Sequence, residues 1–481
     1  MIVKRGMDVR DTKFVYFQTC LVAPAPSTYA EAEASGEQSE ERGETALREV
    51  ERRELVYDYK SCNGCGICVD ICPTNALELG PVTEIAAGLD APPVIMDVDK
   101  CPFCGMCAAF CPYNAFEMFI CTKNVDKVRG ADNDNARAGR DEHEEWKNFM
   151  EVEGYPHLNP TINVDEEKCL PCMLCERVCP MDALEVEWSL PKKEEIAPFD
   201  DTRSGEIEVD MEKCSLCGVC TKFCDAFMIV EREFSVEEPV PFADLIVDEN
   251  ACDYCGICVI LCPENAIKVR VAEISGENMD EVGEEGGCDG KDSIVPLTED
   301  MITRLKCGGR LIVDERKCKK CGWCVFVCPY DAISVEKPFY GDIMLQNIEK
   351  CDPSGCSICR DVCPFNAWFV VWEGEREKEE EREREGEVEG EVERGEEEKK
   401  EGDQENGEKR RDGMRGRVDV ETSVCIFCGA CEKACPENVI VVIRKNARTT
   451  PVPETPPWRK QWSEAISKLI NPESSDRYSL S

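Results

Sequence analysis

Four cysteines at spacings of three, three and four residues, followed by a proline, form the run CNGCGICVDICP at residues 62–73. The pattern occurs eight times in the chain of 481 residues, once with Asp225 in place of the proline and once with a wider first spacing from Cys351 to Cys356, and takes up 32 of the 36 cysteines. Internal repetition of this kind constrains the fold more than any other feature, because each copy must bring its thiols to the same use. We number the motifs one to eight by their first cysteines, which are Cys62, Cys101, Cys169, Cys214, Cys252, Cys318, Cys351 and Cys425. The isolated cysteines, which are given no role, are Cys20, Cys121, Cys288 and Cys307.

The thiols indicate metal binding rather than disulfides. The chain is long and begins MIVKRGMDVRD, without an apolar signal segment, so a secreted disulfide scaffold is not expected. No apolar run approaches the about 18 residues needed to cross a bilayer. We therefore expect no membrane span and a cytoplasmic protein, in which thiols stay reduced unless a metal binds them. Zinc sites use two separate ligand pairs and commonly histidine, whereas this chain has only 2 histidines, so iron–sulfur clusters are favoured.

The spacing within a motif suits a [4Fe–4S] cluster. Three cysteines of a C-x-x-C-x-x-C loop converge on three irons of a cubane, and the fourth, ahead of the proline, ligates the other cluster of a two-cluster unit. The motifs must therefore work in pairs, and the prediction is eight [4Fe–4S] clusters. A glycine tolerant of positive φ follows the second cysteine in six copies, where it turns backbone amides towards the cluster sulfurs. These glycines are Gly66, Gly105, Gly218, Gly256, Gly322 and Gly429.

The sequence around the motifs predicts the fold of each repeat. Most motifs follow a short β-like run ending in an acidic residue, such as LIVDENAC, and precede a turn and a second apolar run, such as CPENAIKVRV. Each repeat is thus predicted as strand, cluster loop, helical turn and strand. The fold class is α+β, with four tandem bacterial-type 2[4Fe–4S] ferredoxin-like domains and acidic inserts. Because such small cores depend on their metal, the apoprotein is expected to be largely unfolded.

The pairing of motifs is inferred from their spacing. Consecutive pairing predicts ferredoxin domains at residues 54–121, 160–235, 244–338 and 345–446, with inserts at about 275–310 and at 373–417. The alternative joins motif four to five and motif six to seven, and leaves motifs three and eight without partners. We favour consecutive pairing, because removing the inserts leaves ordinary distances between the half-motifs.

Consecutive pairing assigns all of these cysteines as iron ligands. The first domain uses Cys62, Cys65, Cys68 and Cys111 for one cluster and Cys101, Cys104, Cys107 and Cys72 for the other. The second uses Cys169, Cys172, Cys175 and Cys224, then Cys214, Cys217, Cys220 and Cys179. The third uses Cys252, Cys255, Cys258 and Cys328, then Cys318, Cys321, Cys324 and Cys262. The fourth uses Cys351, Cys356, Cys359 and Cys435, then Cys425, Cys428, Cys431 and Cys363.

Net charge and the remaining segments limit the function. The formal charge is −42, and each bound cluster adds about −2 with its thiolates, so nucleic acid is not an expected partner. The charged run 373–417 is predicted to be disordered, residues 1–53 a flexible extension, and residues 455–472 a C-terminal helix. No P-loop, dinucleotide-binding glycine motif or nucleophile with a positioned base is present, so no catalytic site is expected and the chemistry should be one-electron transfer.

Three stretches of the sequence resemble a known protein family. The stretches LVYDYKSCNGCGICVDICPTNALELGPV, FCDAFMIVEREF and EKCDPSGCSICRDVCPFNAWFV resemble the polyferredoxin subunit of formylmethanofuran dehydrogenase, over about residues 60 to 445. The widened DPSG copy and the FCDAF copy are the most discriminating. The resemblance implies an electron-transfer subunit that carries low-potential electrons to a tungsten or molybdenum pterin dehydrogenase reducing carbon dioxide in methanogenesis, with other ferredoxins as further partners. The alternative is a polyferredoxin of a hydrogenase or heterodisulfide reductase complex, or a free electron carrier.

Overall fold

The structure is a computed structural model. It describes residues 3–10, 12–22, 49–124, 146–151, 156–201, 203–272, 279–282, 305, 309–372, 416–451 and 458–470.

Strands and short helices alternate through these residues. The strands are β1 (Val3–Arg10), β2 (Lys13–Val22), β3 (Glu49–Asp58), β4 (Leu77–Leu79), β5 (Val94–Met96), β6 (Phe116–Asn124), β7 (Lys147–Asn148), β8 (Thr161–Val164), β9 (Leu184–Trp188), β10 (Gly205–Val209), β11 (Phe227–Glu231), β12 (Phe242–Val247), β13 (Ile267–Ala272), β14 (Met279–Val282), β15 (Gly309–Val313), β16 (Ile333–Glu336), β17 (Phe339–Leu345), β18 (Trp368–Trp372), β19 (Gly416–Val420) and β20 (Ile440–Ala447). The helices are α1 (Ile67–Ile71), α2 (Val82–Ala86), α3 (Met106–Ala109), α4 (Leu174–Arg177), α5 (Lys193–Ile196), α6 (Val219–Phe223), α7 (Ile257–Leu261), α8 (Trp323–Phe326), α9 (Ile358–Asp361), α10 (Ala430–Ala434) and α11 (Trp458–Ile470).

The helix of each motif is confined to about one turn by the sequence. In motif one, α1 begins after Gly66, whose φ of 76° is a left-handed conformation that glycine adopts without strain. The helix ends at Cys72, which is extended at φ −62° and ψ 117°. Cys72 precedes a proline, and the proline ring disfavours helical backbone at the residue before it. The motif therefore becomes a loop and a single turn, as the sequence predicts.

Two modules follow the consecutive pairing. In each, the strand before the first motif pairs antiparallel with the strand after the second, and the two inner strands also pair. Motifs one and two are joined by β3 with β6 and by β4 with β5. Motifs seven and eight are joined by β17 with β20 and by β18 with β19. We call these module 1/2 and module 7/8.

Motifs three to six pair differently, and the consecutive pairing is wrong for them. Strand β8 pairs with β16 and β9 pairs with β15, which joins motif three to motif six. Strand β10 pairs with β13 and β11 pairs with β12, which joins motif four to motif five. The domains predicted at 160–235 and 244–338 are thus replaced by module 3/6 and by module 4/5, which is inserted between β9 and β15. The alternative pairing is correct for motifs four and five but wrong for motifs six and seven.

Side-chain packing explains the nested arrangement. Val186 and Leu184 on β9 lie opposite Leu311 and Val313 on β15. These strands enclose a core in which Leu184 and Ile333 pack with ligand cysteines of motifs three and six. The linker after β9 contains α5, and the strand that follows, β10, pairs with β13 rather than with β9. Strands β11 and β12 form a compact antiparallel pair. Module 4/5 therefore closes by itself, and module 3/6 closes around it.

The N-terminal region is not the flexible extension that the sequence predicts. Strands β1 and β2 pair with each other, and β2 pairs with β3 along its whole length. They extend module 1/2 into a sheet of order β1-β2-β3-β6-β7. The prediction is wrong because Phe14 and Tyr16 of β2 stack on neighbouring aromatic rings, with ring centroids of Phe14 and Tyr57 6.1 Å apart. Residues 23–48 of the predicted extension lie outside the described residues.

The other connections differ in how far they can be described. The predicted insert at about 275–310 contributes β14, which pairs with β13 of module 4/5. In chain order, this insert connects module 4/5 to module 3/6. The acidic insert is outside the described residues up to residue 415. The predicted C-terminal helix is α11, which packs on β20 of module 7/8 and on α1 of module 1/2. Its buried Trp462 lies 5.2 Å from Phe110, measured between ring centroids.

Candidate metal centres

All eight quartets of cysteines are assembled, each from three cysteines of one motif and the last cysteine of the partner motif. We number the sites by the motif that supplies three cysteines. Cavities are lined by the quartets of site 1 (Cys62, Cys65, Cys68, Cys111), site 2 (Cys101, Cys104, Cys107, Cys72), site 3 (Cys169, Cys172, Cys175, Cys328), site 4 (Cys214, Cys217, Cys220, Cys262) and site 6 (Cys318, Cys321, Cys324, Cys179). Neighbouring thiols group the quartets of site 5 (Cys252, Cys255, Cys258, Cys224), site 7 (Cys351, Cys356, Cys359, Cys435) and site 8 (Cys425, Cys428, Cys431, Cys363).

Four of the ligand sets expected from consecutive pairing need correction. Cys328 belongs with motif three and Cys179 with motif six. Cys262 belongs with motif four, and Cys224 belongs with motif five. The exchange of fourth cysteines between partner motifs occurs as expected, but the partners follow the strand pairing of modules 3/6 and 4/5.

The quartets fit a [4Fe–4S] cluster. The cavities, counted together with the open space at their mouths, span between about 300 and about 370 Å³, and the thiols around them are free. Among the described residues, no group of three or more His, Cys, Asp or Glu side chains converges on a single ion position. A zinc ion needs its sulfurs within about 2.3 Å of one point, whereas the ligands of a cubane surround a larger core. The donor set and its spacing therefore match the cluster better than a single ion.

Burial gives the thiols their electrostatic character. Burial raises the pKa of Cys62 to about 11, and burial together with the neighbouring Cys217 raises the pKa of Cys172 to about 12. Burial and the three other thiols of site 5 raise the pKa of Cys258 well above its ordinary value. These groups would be neutral thiols without a metal. Iron takes the place of the protons, because the thiolate is the form that binds metal.

A backbone donor that the sequence interpretation missed supports the fourth cysteine. The amide of Ala76 donates to Cys72 Sγ at 3.2 Å, and Ala266 makes the same contact with Cys262 Sγ at 3.2 Å. Ala115 and Ala183 repeat it with Cys111 and Cys179, at 3.3 Å each. The residue before each alanine is Asn or Asp at positive φ, as with Asn75 at 51°, a conformation these residues tolerate. The sequence feature that indicates this hydrogen bond is the recurring run of cysteine, proline, any residue, asparagine or aspartate, and alanine.

The two unusual motifs keep their thiols in place by different turns. In motif four, Asp225 replaces the proline. The loop after the fourth cysteine is two residues shorter there, so that the buried Ala226 comes two residues after Cys224. In motif seven, the added residues form a turn in which Cys356 donates its amide to the carbonyl of Asp352 at 3.0 Å. The side chain of Asp352 accepts from the amide of Ser354 at 3.1 Å. Both motifs therefore present complete quartets.

Comparison with sequence models of protein families agrees with this geometry. A 4Fe–4S dicluster domain matches residues 61–115, 100–183 and 168–228, a 4Fe–4S binding domain matches 245–268 and 311–334, and a second dicluster domain matches 343–436. The chain therefore contains several ferredoxin-type 4Fe–4S domains in tandem, which confirms the predicted fold class. The matches follow chain order and carry no information on which motifs share a module in space.

Two individual proteins are similar to short stretches of the chain. The chain is 54% identical over 50 residues to Polyferredoxin protein FwdF of Methanocaldococcus jannaschii, which is 10% of this chain and 14% of that protein. It is 46% identical over 28 residues to pyruvate synthase subunit PorD of Thermotoga maritima, which is 6% of this chain and 28% of that protein. The matched stretches thus span only a small part of each relative.

One solved structure is similar over almost the whole chain. It is a chain of the formate dehydrogenase, heterodisulfide reductase and formylmethanofuran dehydrogenase complex from Methanospirillum hungatei, with 97% of this chain and 91% of that chain covered. The sequence identity is 21% and the TM-score is 0.47. Separately, none of the described helices combines the length and the apolar character required to cross a membrane.

Proposed function

We propose that this chain is a multi-cluster electron-transfer subunit that holds eight [4Fe–4S] clusters and links them into one branched path. A [4Fe–4S] cluster, when bound, takes up and gives back one electron. The observation that carries the proposal is that ligand loops of different modules contact each other directly. The chain's own residues therefore bring the sites together.

Within a module, partner sites are neighbours. Burial and surrounding thiols raise the pKa of each of four cysteines well above its ordinary value, and one of those thiols always belongs to the partner site. Cys68 of site 1 is affected by Cys107 of site 2, and Cys324 of site 6 by Cys175 of site 3. The other two pairs are Cys258 of site 5 with Cys220 of site 4, and Cys431 of site 8 with Cys359 of site 7.

Between modules 3/6 and 4/5, sites 3 and 4 meet. The amide of Met173 donates to the carbonyl of Cys217 at 3.1 Å. Gly218 lies directly against the side chain of Met173, whose Cε occupies the space where a side chain at residue 218 would begin. Tyr330 follows the site 3 ligand Cys328 by two residues, and Glu264 follows the site 4 ligand Cys262 by two residues. The hydroxyl of Tyr330 donates to Glu264 at 2.9 Å, which is a further contact between the two sites. Sites 5, 4, 3 and 6 thus form one arm.

Three modules meet around sites 1, 6 and 8. Two contacts join module 1/2 to module 7/8. The side-chain amide nitrogen of Asn63 lies 3.9 Å from Cys428 Sγ, and the buried ring of Tyr113 stacks on Phe365 with centroids 6.1 Å apart. Site 6 joins them because the indole of Trp323 donates to the carbonyl of Phe365 at 2.6 Å. We call this contact the three-module junction. From it, the arm of sites 5, 4, 3 and 6 continues through site 1 to site 2 and through site 8 to site 7.

The iron content tests the number of sites. Anaerobic reconstitution of the full chain is expected to give about 32 irons and as many acid-labile sulfides per chain, since each cubane holds four of each. Titration with Ti(III) citrate should then deliver about eight electrons per chain. A plateau near 16 irons would mean that half of the motifs bind no cluster and that the path is broken.

We also propose the partner, a tungsten or molybdenum pterin dehydrogenase of the formylmethanofuran type, in the cytoplasm. The resemblance of the motif-one, motif-four and motif-seven phrases, together with the likeness to a protein named polyferredoxin, supports this choice. The catalytic site would lie on those other subunits, and ferredoxins would exchange electrons with the arms.

Anaerobic co-purification tests the partner. A tagged full chain and a variant lacking residues 375–415 are both expected to bring down subunits with bound pterin and metal. The acidic run should be dispensable, because a segment that cannot bury apolar area gains little from ordering. Capture of hydrogenase subunits without any pterin enzyme would contradict the partner and leave the electron path intact. Capture by the full chain alone would give the run a docking role.

A further inference from the structure

Two lysines are half-buried at the three-module junction, and both are held by backbone carbonyls rather than by carboxylates. Lys337 follows β16 and donates through Nζ to the carbonyls of Thr422 at 3.0 Å, Ser423 at 2.6 Å and Cys425 at 2.9 Å. Three acceptors around one nitrogen require three N–H donors, which only the charged ammonium has. Lys337 therefore places a full positive charge against the loop of site 8.

The same ammonium faces site 6. Burial lowers the pKa of Lys337, and the nearby sulfurs of Cys425 and Cys321 act in the opposite direction, so a ligand of each site is an electrostatic neighbour. The loops are in close contact here, since an added Cβ at Gly322 would lie 2.6 Å from the carbonyl oxygen of Ser423. Glu421 is the carboxylate that acts on the ammonium, more weakly than either sulfur.

Lys319 adds a second charge between sites 6 and 1. It lies between two ligands of site 6, and its Nζ donates to the carbonyls of Tyr113 at 3.0 Å and Arg316 at 3.2 Å. Tyr113 follows the site 1 ligand Cys111 by two residues. The sulfurs of Cys111 and Cys318 both act on this ammonium. Motif six differs from the other seven motifs in carrying two lysines between its first two cysteines.

Arg444 is a further cation held by carbonyls at site 8, whereas two lysines near the sites are neutralised. Lys193 beside site 5 is buried against Asp253, with Nζ 2.7 Å from the carboxylate. Lys320 in motif six pairs with Glu315. In a chain of formal charge −42, cations held only by carbonyls at one junction are a specific local feature.

We propose that Lys337, supported by Lys319, makes sites 6 and 8 the first of the eight to accept electrons, so that the junction stores electrons arriving from the arms. This inference rests on the proposed function. Reduction adds one negative charge to a site, and a nearby ammonium that is partly shielded from water stabilises that charge. The reduction potential is therefore higher at the junction than at the arm ends. In the test, each electron comes from Ti(III), which becomes Ti(IV).

A redox titration of the reconstituted full chain, followed by electron paramagnetic resonance, tests the lysines. Lys337→Met is expected to shift the first reduction steps to more negative potential, and Lys319→Met with Lys337→Met should shift them further. Lys337→Arg should restore most of the wild-type midpoint. The matched control is Lys317→Met, since Lys317 is exposed, directly precedes Cys318 and donates to the carbonyl of Asp182 at 3.3 Å.

A second measurement remains decisive if the methionine variants lose clusters. In the otherwise unchanged chain, Cys321→Ala and Cys428→Ala should each remove one of the earliest reduction steps, whereas Cys217→Ala at site 4 should leave both. An unshifted titration in the double lysine variant with normal iron, or early steps that survive both junction cysteine variants, would overturn the inference. Those results would leave the electron path standing, whereas low iron or low electron uptake in the wild-type chain would refute the proposed function itself.

Discussion

Removing the iron anaerobically is expected to unfold modules 3/6 and 4/5 while the five-stranded sheet of module 1/2 keeps part of its structure. In module 3/6, the core around the sites consists of Cys175, Leu184, Cys324 and Ile333, so half of it is ligand cysteines. In module 4/5, Cys220 and Cys258 stand among Phe227, Leu245, Ile267 and Val269. Without clusters, the ligand cysteines of these cores would line open cavities instead of enclosing a cluster.

The energetic scale supports complete loss of structure there. Structural metal sites contribute on the order of 10 kcal/mol to folding, which equals the total stability of about 5–15 kcal/mol of an ordinary domain. Module 1/2 differs because Tyr16, Leu55, Tyr57, Phe116 and Met118 belong to a large apolar core in which ligand cysteines are a minority. Tyr57 and Phe116 stack with ring centroids 4.4 Å apart. Apolar burial of this kind does not depend on the metal.

Hydrogen exchange with mass spectrometry checks this expectation peptide by peptide. After chelation, amides of β8, β16, β10 and β13 should exchange as in an unstructured chain, while amides of β3 and β6 should retain measurable protection. The control is reconstitution with iron and sulfide, which should return protection to all four modules. Native protection of β8 and β16 in the iron-free chain would contradict the dependence of module 3/6 on its clusters.

The cysteine spacing was sufficient to predict the sites but not the connectivity. Each motif determines its own loop and turn, because the glycine at positive φ and the proline after the fourth cysteine act over a few residues. The quartets follow once partners are known. Partner choice depends instead on which strands meet, and β9 finds β15 across a separation that contains a whole module.

The N-terminal sheet was missed for a related reason. The run KFVYFQTCLV of β2 has strand-like composition, but its partner β3 is separated from it by the acidic stretch AEAEASGEQSEERGE. The acidic linker favours a flexible segment, and the pattern of β2 does not show which strand it pairs with. The lysines of the junction were also invisible, since Lys337 lies 13 residues after Cys324, and only the packing of module 3/6 on module 7/8 brings its ammonium to Cys425.

Replacing Cys328 by alanine is expected to release the cluster of site 3 and leave site 5 intact. The structure places Cys328 with Cys169, Cys172 and Cys175, whereas consecutive pairing assigns it to motif five. Cys224→Ala is the matched variant, because the structure places Cys224 with Cys252, Cys255 and Cys258, and consecutive pairing assigns it to motif three. The two arrangements thus predict opposite outcomes for the same pair of variants. Alanine is used because it offers the iron no replacement ligand.

Thiol alkylation followed by peptide mass spectrometry identifies the site that is lost, since cysteines bound to a cluster are shielded from the reagent. In the Cys328→Ala chain, the cysteines of motif three should become labelled and those of motif five should stay protected. In the Cys224→Ala chain, motif five should become labelled instead. Cys72→Ala serves as a control, because both arrangements give it to site 2 and predict labelling of Cys101, Cys104 and Cys107. Labelling of motif five in the Cys328→Ala chain would restore the consecutive pairing and remove the nested module. Because β8 pairs only with β16 and β9 only with β15 among the described strands, the Cys328→Ala variant should also lose exchange protection in β8 and β9.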